Sequence, residues 1–247
     1  MFKTLLFNPL YNILIIIINL IPGGDIGLAI IILTILIKLL ILPIYIKSIR
    51  TQVKMKEIEP KLKEVKRKYE KDLPEQSKQI MELYKENKVN PFSSFLVLLI
   101  QLPIILALFY VFRDSLVVHQ DIIYSFVSIP EKINPQFLGL IDISMNKNVV
   151  LAILTGLTQF IQVQLTMPKP KNKKISPQSK EQPTFGGDFA RSMDIQVRYV
   201  MPFIISFIAW QLPAAISLYW ITSNIFHLVS GLKIKKEQNN PLSFKEV

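Results

Sequence analysis

The stretch that decides the fold is residues 26–46, which read IGLAIIILTILIKLLILPIYI. An α-helix rises 1.5 Å per residue, so about 20 apolar residues cross the hydrocarbon core of a bilayer. Further apolar runs follow at 91–112, 149–167, 199–212 and 213–232. None of them has the alternating pattern of a membrane β-barrel. The sequence therefore predicts an all-α membrane protein with a core of five transmembrane helices.

The last two predicted spans form a tight hairpin, because Gln211-Leu212-Pro213 interrupts the apolar run between residues 199 and 232. The fourth span is short, about 21 Å if it is helical. It must therefore depend on the Arg198 side chain reaching toward the membrane surface, or on local thinning of the bilayer.

The N-terminal segment, residues 1–25, allows two interpretations. Residues 5–21 are apolar but include Asn8, Asn12 and Asn19. They could be a short signal-anchor that spans the membrane, or an interfacial helix on its outer surface. The sequence PGGD that follows is typical of a turn and not of a cleavage site with small residues. The residues by themselves leave both interpretations open.

The composition excludes several classes of protein. Half of the 247 residues are hydrophobic, there is no cysteine, and the only histidines are His119 and His227. Disulfides and thiolate chemistry are thereby excluded, and a zinc site has almost no ligands to draw on. The sequence also lacks the zinc-protease, serine-hydrolase and nucleotide-binding motifs. Ser223 lies one helical turn before His227 without an orienting acid, so we predict a protein that is not an enzyme and has no metal or cofactor.

Positive charge is distributed unevenly along the chain. Of the 29 Lys and Arg residues, 13 lie in residues 47–88, 7 in 169–198 and 4 in 233–247. Because Lys and Arg concentrate on the cytoplasmic side of membrane proteins, the net charge of +11 indicates topology rather than DNA binding. Segments 47–90, 168–198 and 233–247 are predicted to be cytoplasmic. Segments 1–25 and 113–148 are predicted to face the outside.

The first cytoplasmic segment, residues 47–90, has an amphipathic pattern. Its apolar residues recur at helical spacing on a charged background, with an interruption at residues 72–74. This pattern predicts a helical hairpin, with Pro60 kinking or restarting its first helix; the alternative is a solvated linker. The second loop, 168–198, is rich in Lys, Pro and Ser and is predicted to be partly disordered. Candidate docking residues on the hairpin are Met55, Ile58, Leu62 and Met81.

Polar residues inside the predicted spans are the main functional signal, because each one costs free energy in hydrocarbon unless it faces protein or water. They lie on one face of each of four helices, so we predict that these helices share a hydrophilic groove. The alternative is that the Gln, Ser and Thr side chains join neighbouring helices. The candidate groove residues are Thr34, Lys38, Gln101, Thr155, Gln159, Gln162, Ser217, Trp220 and Asn224.

Lys38 is the most informative of these residues. It lies about 18 Å into the first span, and none of the five predicted spans contains Asp or Glu. Its ammonium group must be hydrated, bonded to carbonyl and polar groups, or available to a substrate charge. Alternatively, the side chain extends toward the cytoplasmic surface. The missing carboxylates also argue against a proton-coupled transporter.

A series of motifs resembles the YidC/Oxa/Alb family of membrane protein insertases, in the family's order and over nearly the whole chain. NPLYN at 8–12, IPGGD at 21–25 and GLAIIILT at 27–34, followed by Lys38 and Leu42-Pro43, are similar to the start of its conserved core. Asn90-Pro91 and QLPIILALFY at 101–110 are similar to its second span. Met201-Pro202 and LPAAISLYWITSN at 212–224 are similar to its last two spans.

The resemblance implies a bacterial YidC-type protein of the short form, without a large periplasmic domain. It implies an outer interfacial helix before the five-helix core, and a groove open to the cytoplasm whose positive charge falls on Lys38. Members usually have arginine at this position; lysine keeps the charge but lacks the planar guanidinium group.

The implied function is that of an insertase and chaperone, which inserts nascent membrane proteins and helps them to fold. The implied location is the bacterial cytoplasmic (inner) membrane, with the C-terminus in the cytoplasm. Nascent membrane proteins and the lipid bilayer are the implied partners, and the ribosome and the Sec translocon are further candidates. A small-solute channel or transporter is the alternative function, and an assembly scaffold without insertion activity is a third.

Overall fold

The computed structural model describes residues 3–90, 93–114, 120–166 and 195–238. Most of the predicted loop 168–198 and the end of the tail therefore lie outside the described residues. Within them the chain is mostly helical, as predicted. The α-helices are α1 Asn8–Leu20, α2 Ile26–Glu57, α3 Glu59–Lys68, α4 Leu73–Glu86, α5 Ser93–Asp114, α6 Val149–Thr166, α7 Met201–Gln211 and α8 Ala214–Gln238. Short π-helical turns, Lys3–Phe7 and Gln196–Val200, precede α1 and α7, and a 3-10 turn forms at Gln120–Ile122.

In the described part of the chain, three helical segments are long and apolar enough to cross a membrane: Lys3–Leu20, Ile26–Met55 and Val149–Thr166. Gln101–Phe112 is a shorter apolar helix. These lengths and compositions confirm a helical membrane protein, whereas the count of five spans stays a prediction. Lys3–Leu20 meets the length for a span, so length does not decide between the two interpretations of the N-terminus.

The chain forms two compact units. The larger unit contains Met1–Lys38 and Leu106–Val247, and the smaller unit is Leu39–Ile105. Helices α2 and α5 each have residues in both units. The first part of α2, up to Lys38, belongs to the larger unit.

In the larger unit, α6 packs against both α7 and α8, and α7 also contacts α8. A Cβ atom at Gly156 of α6 would lie 2.8 Å from the Cβ of Ser206 and 3.1 Å from the carbonyl oxygen of Pro202. The Ser206 hydroxyl donates to the carbonyl oxygen of Ala152, 2.9 Å away. Glycine at position 156 therefore allows α6 and α7 to approach closely.

The segment between α5 and α6 contains a small antiparallel sheet, β1 Gln136–Phe137 and β2 Ile141–Asp142. The turn between the strands has positive φ angles at Leu138 (52°) and Gly139 (72°). The sequence analysis predicted only a loop here, because two-residue strands are too short to show an alternating pattern.

In the smaller unit, α3 packs against α4. Helix α2 ends at Glu57 and α3 begins at Glu59, so the chain restarts its helix at Pro60, which lies in the first turn of α3. The carboxylate of Asp72 caps α4 by accepting from the backbone N–H of Glu75 at 3.1 Å. The side-chain amide of Gln76 donates to the carbonyl oxygens of Lys66 and Tyr69, and thereby joins the two helices.

Candidate functional site

Lys38 lies at a contact between α2 and α8, and only 3% of its surface is exposed. Its Nζ atom is 3.1 Å from Nε2 of His227 and 5.8 Å from the ring centroid of Tyr219, both on α8. Because a lysine ammonium group can only donate hydrogen bonds, Nε2 of the imidazole is the acceptor. The face of an aromatic ring attracts a cation. The two helices thus meet at a buried positive charge.

Aromatic rings pack against the two α8 residues that contact Lys38. Tyr219 is buried, and its ring centroid lies 6.4 Å from that of Phe112 on α5. The ring of Phe226 lies edge-on to His227, with centroids 6.3 Å apart. These apolar rings limit the access of water to the ammonium group, and in such surroundings a charge interacts more strongly with another charge than it does in water.

The sequence analysis did not include His227 among the groove residues. His227 lies one helical turn after Asn224, a candidate groove residue of the last predicted span, but 189 residues separate it from Lys38. The helical spacing of His227 from the polar residues of that span was the signal that could have identified it. The pairing with Lys38 depends on how α2 and α8 pack, which one sequence does not reveal.

Thr155, Ser217 and Asn224 form a polar seam between α6 and α8. All three are buried. The Thr155 hydroxyl lies 2.8 Å from the carbonyl oxygen of Leu151 and 3.4 Å from that of Ser217. The Asn224 amide donates to the Thr158 hydroxyl at 3.1 Å and lies 3.5 Å from the carbonyl oxygen of Thr155. This geometry favours the alternative interpretation for these three residues, in which polar side chains join helices.

The other candidate groove residues are placed differently. Gln159, Gln162 and Trp220 are half-buried, and the Gln162 amide donates to the Thr166 hydroxyl at 2.9 Å. Thr34 is fully buried, and its hydroxyl donates to the carbonyl oxygen of Ile30 at 2.6 Å. Gln101, on α5, is half-buried and belongs to the smaller unit. Within the larger unit, the half-buried residues of α6 and α8 remain the candidates for a hydrated surface.

Residues 134–146, which we call the 134–146 clamp, bind the start of α2. The backbone of Asn134 donates to the carbonyl oxygen of Gly24 at 2.8 Å and accepts from the N–H of Ile26 at 3.1 Å. The buried Asp25 carboxylate accepts from the N–H of Leu138 at 2.8 Å and also from the first turn of α2. Gly24 has a φ of +64°, and a Cβ atom there would overlap the carbonyl oxygen of Lys132, so this turn requires glycine.

The same clamp binds the start of α8. The N–H groups of Ala214 and Ala215 donate to the carbonyl oxygens of Met145 and Ile143, each at 3.0 Å. These N–H groups are in the first turn of α8, where a helix has no internal acceptor for them. The 134–146 clamp therefore holds the beginnings of α2 and α8, the two helices that carry Lys38 and His227.

Helix α1 binds the segment that precedes the clamp. The Asn12 side chain donates to the carbonyl oxygen of Ile122 at 2.9 Å and accepts from the N–H of Tyr124 at 2.8 Å. The Asn19 amide donates to the carbonyl oxygen of Ser128 at 2.6 Å. The two asparagines, seven residues apart, therefore lie on one face of α1 and join it to residues 122–128.

The candidate docking residues differ in exposure. Met81 is exposed, Met55 and Leu62 are half-buried, and Ile58 is buried. Leu73, which the sequence analysis did not propose, is also exposed. Any docking surface on the hairpin therefore depends on Met81 and Leu73 more than on Ile58.

The residues that the structure describes contain no group of three or more His, Cys, Asp or Glu side chains placed to hold a metal ion. Ser223 is buried one helical turn before His227, whose Nε2 atom faces the ammonium group of Lys38. The fold and the site thus define a class: a helical membrane protein that keeps a positive charge on an apolar helix.

Comparison with known proteins identifies the family. Residues 16–241 match the family described as 60Kd inner membrane protein. A protein of Clostridium tetani (strain Massachusetts / E88) called "Membrane protein insertase YidC" is 35% identical over 215 residues, which cover 87% of this chain and 84% of that protein. A protein of Oceanobacillus iheyensis with the same name is 35% identical over 85% of this chain and 74% of its own length. A third protein so named, from Cellvibrio japonicus, is 30% identical over 87% of this chain but only 33% of its own length.

The chain belongs to the 60Kd inner membrane protein family, in which these YidC insertases are its relatives. The resemblance found in the sequence motifs is thereby confirmed.

Proposed function

We propose that the protein is an insertase of the bacterial cytoplasmic membrane, which inserts nascent membrane proteins and helps them to fold. The main observation that supports this proposal is the buried ammonium group of Lys38 on an apolar helix. A charge in such a position is costly and marks a functional path. The names of the relatives support the same activity.

The proposed topology has five spans, with segments 47–90, 168–198 and the tail in the cytoplasm. Its support is the distribution of Lys and Arg, of which 24 out of 29 lie in those three segments. On this topology the 134–146 clamp lies outside, and the cytoplasmic ends of α2 and α8 lie on the opposite side. A groove that opens to the cytoplasm and ends near Lys38 would then admit a polar tail without opening a pore.

In the proposed first step, the polar tail of a nascent protein enters the groove from the cytoplasm. Lys38 attracts its acidic groups, while half-buried side chains such as Gln159 and Gln162 keep the surface hydrated. Water and polar groups lower the cost of moving the tail out of bulk solvent, since an unpaired charge in hydrocarbon is very costly.

In the second step, the apolar helix of the substrate moves into the lipid beside the spans. Removing apolar surface from water provides the driving force, so no nucleotide is needed. The five residues of the π-helical turn Gln196–Val200 continue directly into the 11 residues of α7, and together they give about 24 Å of helix against a hydrocarbon core of about 30 Å. A helix this short favours a locally thin bilayer, which shortens the distance that the tail must cross.

The contacts of α1 support the interfacial interpretation of the N-terminus. Asn12 and Asn19 are about 10 Å apart along the helix axis, and each binds the backbone of residues 122–128. Irregular backbone is not tolerated against hydrocarbon, so a segment that follows α1 over this length fits better outside it. We therefore propose that α1 lies in the outer interface and turns exposed residues such as Ile13 and Ile16 toward lipid.

The cytoplasmic hairpin is the proposed docking site for the ribosome or the Sec translocon. Its exposed Met81 and Leu73 are apolar side chains on an otherwise charged surface. Met is common at surfaces that accept varied partners, because its side chain is flexible and polarisable. The hairpin belongs to the smaller unit, Leu39–Ile105, whereas Lys38 and His227 belong to the larger one, which fits a role of the hairpin in capture rather than in the crossing itself.

Crosslinking distinguishes this function from that of a channel. A photo-reactive residue replacing Gln159 should crosslink to the tail of a ribosome-bound single-span substrate, whereas one replacing the exposed, apolar Ile153 should not. The purified protein should not conduct ions in planar bilayers. Ion conduction without crosslinks to the nascent chain would favour the channel and contradict the proposal.

A further inference from the structure

We infer that the turn between β1 and β2 is a lipid anchor, which inserts two leucines into the membrane interface beside the start of the first span. The turn comprises residues 138–140, which read Leu-Gly-Leu, and we call it the 138–140 tip. The inference does not depend on insertion activity, and only the choice of the outer leaflet rests on the proposed topology.

Both leucines of the 138–140 tip point away from the protein. The exposed fraction is 59% for Leu138 and 82% for Leu140. Their apolar neighbours Phe137 and Ile141 are half-buried, so within the run 137–141 the exposure is confined to the tip. Clustered exposed apolar surface is typical of a site that contacts a membrane or a partner.

The backbone at position 138 gives no reason for a leucine. Its φ angle is +52°, in the left-handed region, which Gly, Asn and Asp adopt more readily than a large apolar residue does. One of these residues would suit both this backbone and an aqueous surface. Packing within the chain does not explain the leucine either, because most of its surface is exposed. A contact outside the chain therefore accounts best for Leu138.

The contacts of the tip place it at the end of the first span. The N–H of Leu138 donates to the Asp25 carboxylate at 2.8 Å. A Cβ atom at Gly27 would lie 2.7 Å from Cγ of Phe137, so this ring lies directly against the backbone of α2. Helix α2 begins at Ile26 and is apolar from that residue onward. The tip is thus fixed at the level where the hydrocarbon of the membrane begins.

The backbone donors of the tip are bonded within the chain. Besides the bond from Leu138, the N–H of Gly139 donates to the carbonyl oxygen of Gln136 at 3.3 Å, and that of Leu140 donates to the carbonyl oxygen of Phe137 at 3.0 Å. An unpaired N–H group is costly in an apolar environment, where water cannot replace the missing partner. The tip can therefore enter the interface without leaving a backbone donor unpaired.

Lipid is the occupant that these observations favour over a protein. A stable protein–protein interface buries about 1,600 Å² in total and takes about 20–30 residues a side, far more than the tip provides. Lipid requires no complementary surface, because the leucines gain free energy simply by leaving water. An anchor at this point holds the 134–146 clamp, and with it the beginnings of α2 and α8, at a constant depth in the membrane.

The test uses the full chain in vesicles of phosphatidylcholine and phosphatidylglycerol, at a low ratio of protein to lipid. Because the sequence contains no cysteine, Leu138→Cys and Leu140→Cys can each carry a single polarity-sensitive fluorophore. Glu131→Cys, at an exposed charged residue of the same outer segment, is the aqueous control. Ile153→Cys, at an exposed apolar residue of α6, is the lipid control. The measured quantities are the emission maximum and the quenching by nitroxide-labelled lipids and by iodide.

We expect the fluorophores at positions 138 and 140 to emit at shorter wavelength than the one at position 131, and to be quenched by the nitroxide lipids as at position 153. Quenching by iodide should fall well below that at position 131. Adding Leu138→Asn, which suits the positive φ angle, should shift the emission at position 140 back toward that of the aqueous control. Position 140 carries the test by itself if Leu138→Cys does not accumulate.

Emission and iodide quenching equal to those at position 131 would overturn the inference. Emission at short wavelength without quenching by nitroxide lipids would also overturn it, because protein, such as a second copy of this chain, would then cover the tip. The assay contains no substrate. Either result would therefore leave the proposed insertase function in place, and a failure of insertion would not alter the expected fluorescence.

Discussion

At the scale of the residue, the proposed mechanism depends on one buried cation, Lys38. Burying a charge costs free energy, and an apolar residue at position 38 would often be more stable. Evolution toward stability alone would therefore not favour a lysine inside the first predicted span. Its packing against His227 and Tyr219 indicates a site built to hold the charge in place.

The charge of Lys38 leads to a graded prediction for substitutions. Lys38→Arg should keep most insertion of an acidic-tailed substrate, Lys38→Ala should lower it about tenfold or more, and Lys38→Glu should be worse than Lys38→Ala. The order follows from the sign of the charge, whose effect is stronger in a groove than in bulk water. The measurement is the initial rate of tail protection in liposomes that contain equal amounts of each variant.

A neutral tail provides the control for this series. Replacing the acidic residues of the tail should partly rescue Lys38→Ala, because the missing charge then has nothing to attract. Normal insertion of acidic tails by Lys38→Ala, at normal protein abundance, would remove Lys38 from the mechanism. Hydration of the groove and local thinning of the membrane would then have to account for insertion by themselves.

Whether the role of a residue can be predicted from the sequence depends on how far along the chain its contacts lie. Lys38 could be identified from the sequence alone, because a charged residue within an apolar segment is evident without knowledge of its contacts. The role of Thr155 and Asn224 as links between α6 and α8 could not be separated from a groove, since both interpretations place polar residues on one helical face. The pairing of Lys38 with His227 needs the packing of two distant helices.

At the scale of the element, the 134–146 clamp joins the beginnings of two helices of the larger unit. The φ angles in the turn of this clamp are positive at Leu138 and Gly139, and only the glycine adopts such an angle at little cost. The sequence indicated a turn at residues 22–25 but not the segment that closes over it. Hydrogen bonds between segments so far apart along the chain leave no local pattern in the sequence.

The Asp25 carboxylate is the side chain that joins this clamp to α2. Asp25→Ala removes both the helix cap and the bond to the N–H of Leu138, and should lower the free energy of unfolding by about 2 kcal/mol. The measurement is thermal unfolding of the purified protein in detergent. Asp121→Ala, at an exposed aspartate in the 3-10 turn Gln120–Ile122, should change the free energy of unfolding by less than about 0.5 kcal/mol. Equal effects of the two substitutions would contradict the role of Asp25.

Helix α1 shows what a sequence can suggest without deciding. Three asparagines in an apolar run weakened the case for a span and left two interpretations open. Asn12 and Asn19 are seven residues apart, close to two helical turns, and this spacing places them on one face of a helix. That the partner is the backbone of residues 122–128 became evident only from the structure.

At the scale of the whole molecule, the topology can be tested because the sequence contains no cysteine. Single cysteines at Ser77, Ser176 and Ser243 should be protected from a membrane-impermeant thiol reagent in intact cells, whereas one at Ser128 should react. Permeabilised cells provide the control, in which all four should react. Reaction at Ser77 from the outside would overturn the assignment, and a cysteine at Thr4 reports on the N-terminus.

The insertion activity itself is tested most directly in liposomes that contain only this protein. A short single-span substrate with an acidic tail is added without nucleotide, and the fraction of tails protected from external protease is measured. The account predicts protection well above that in empty liposomes, with no leak of an entrapped small dye. Protection no higher than in empty liposomes, or protection accompanied by dye leakage, would contradict it.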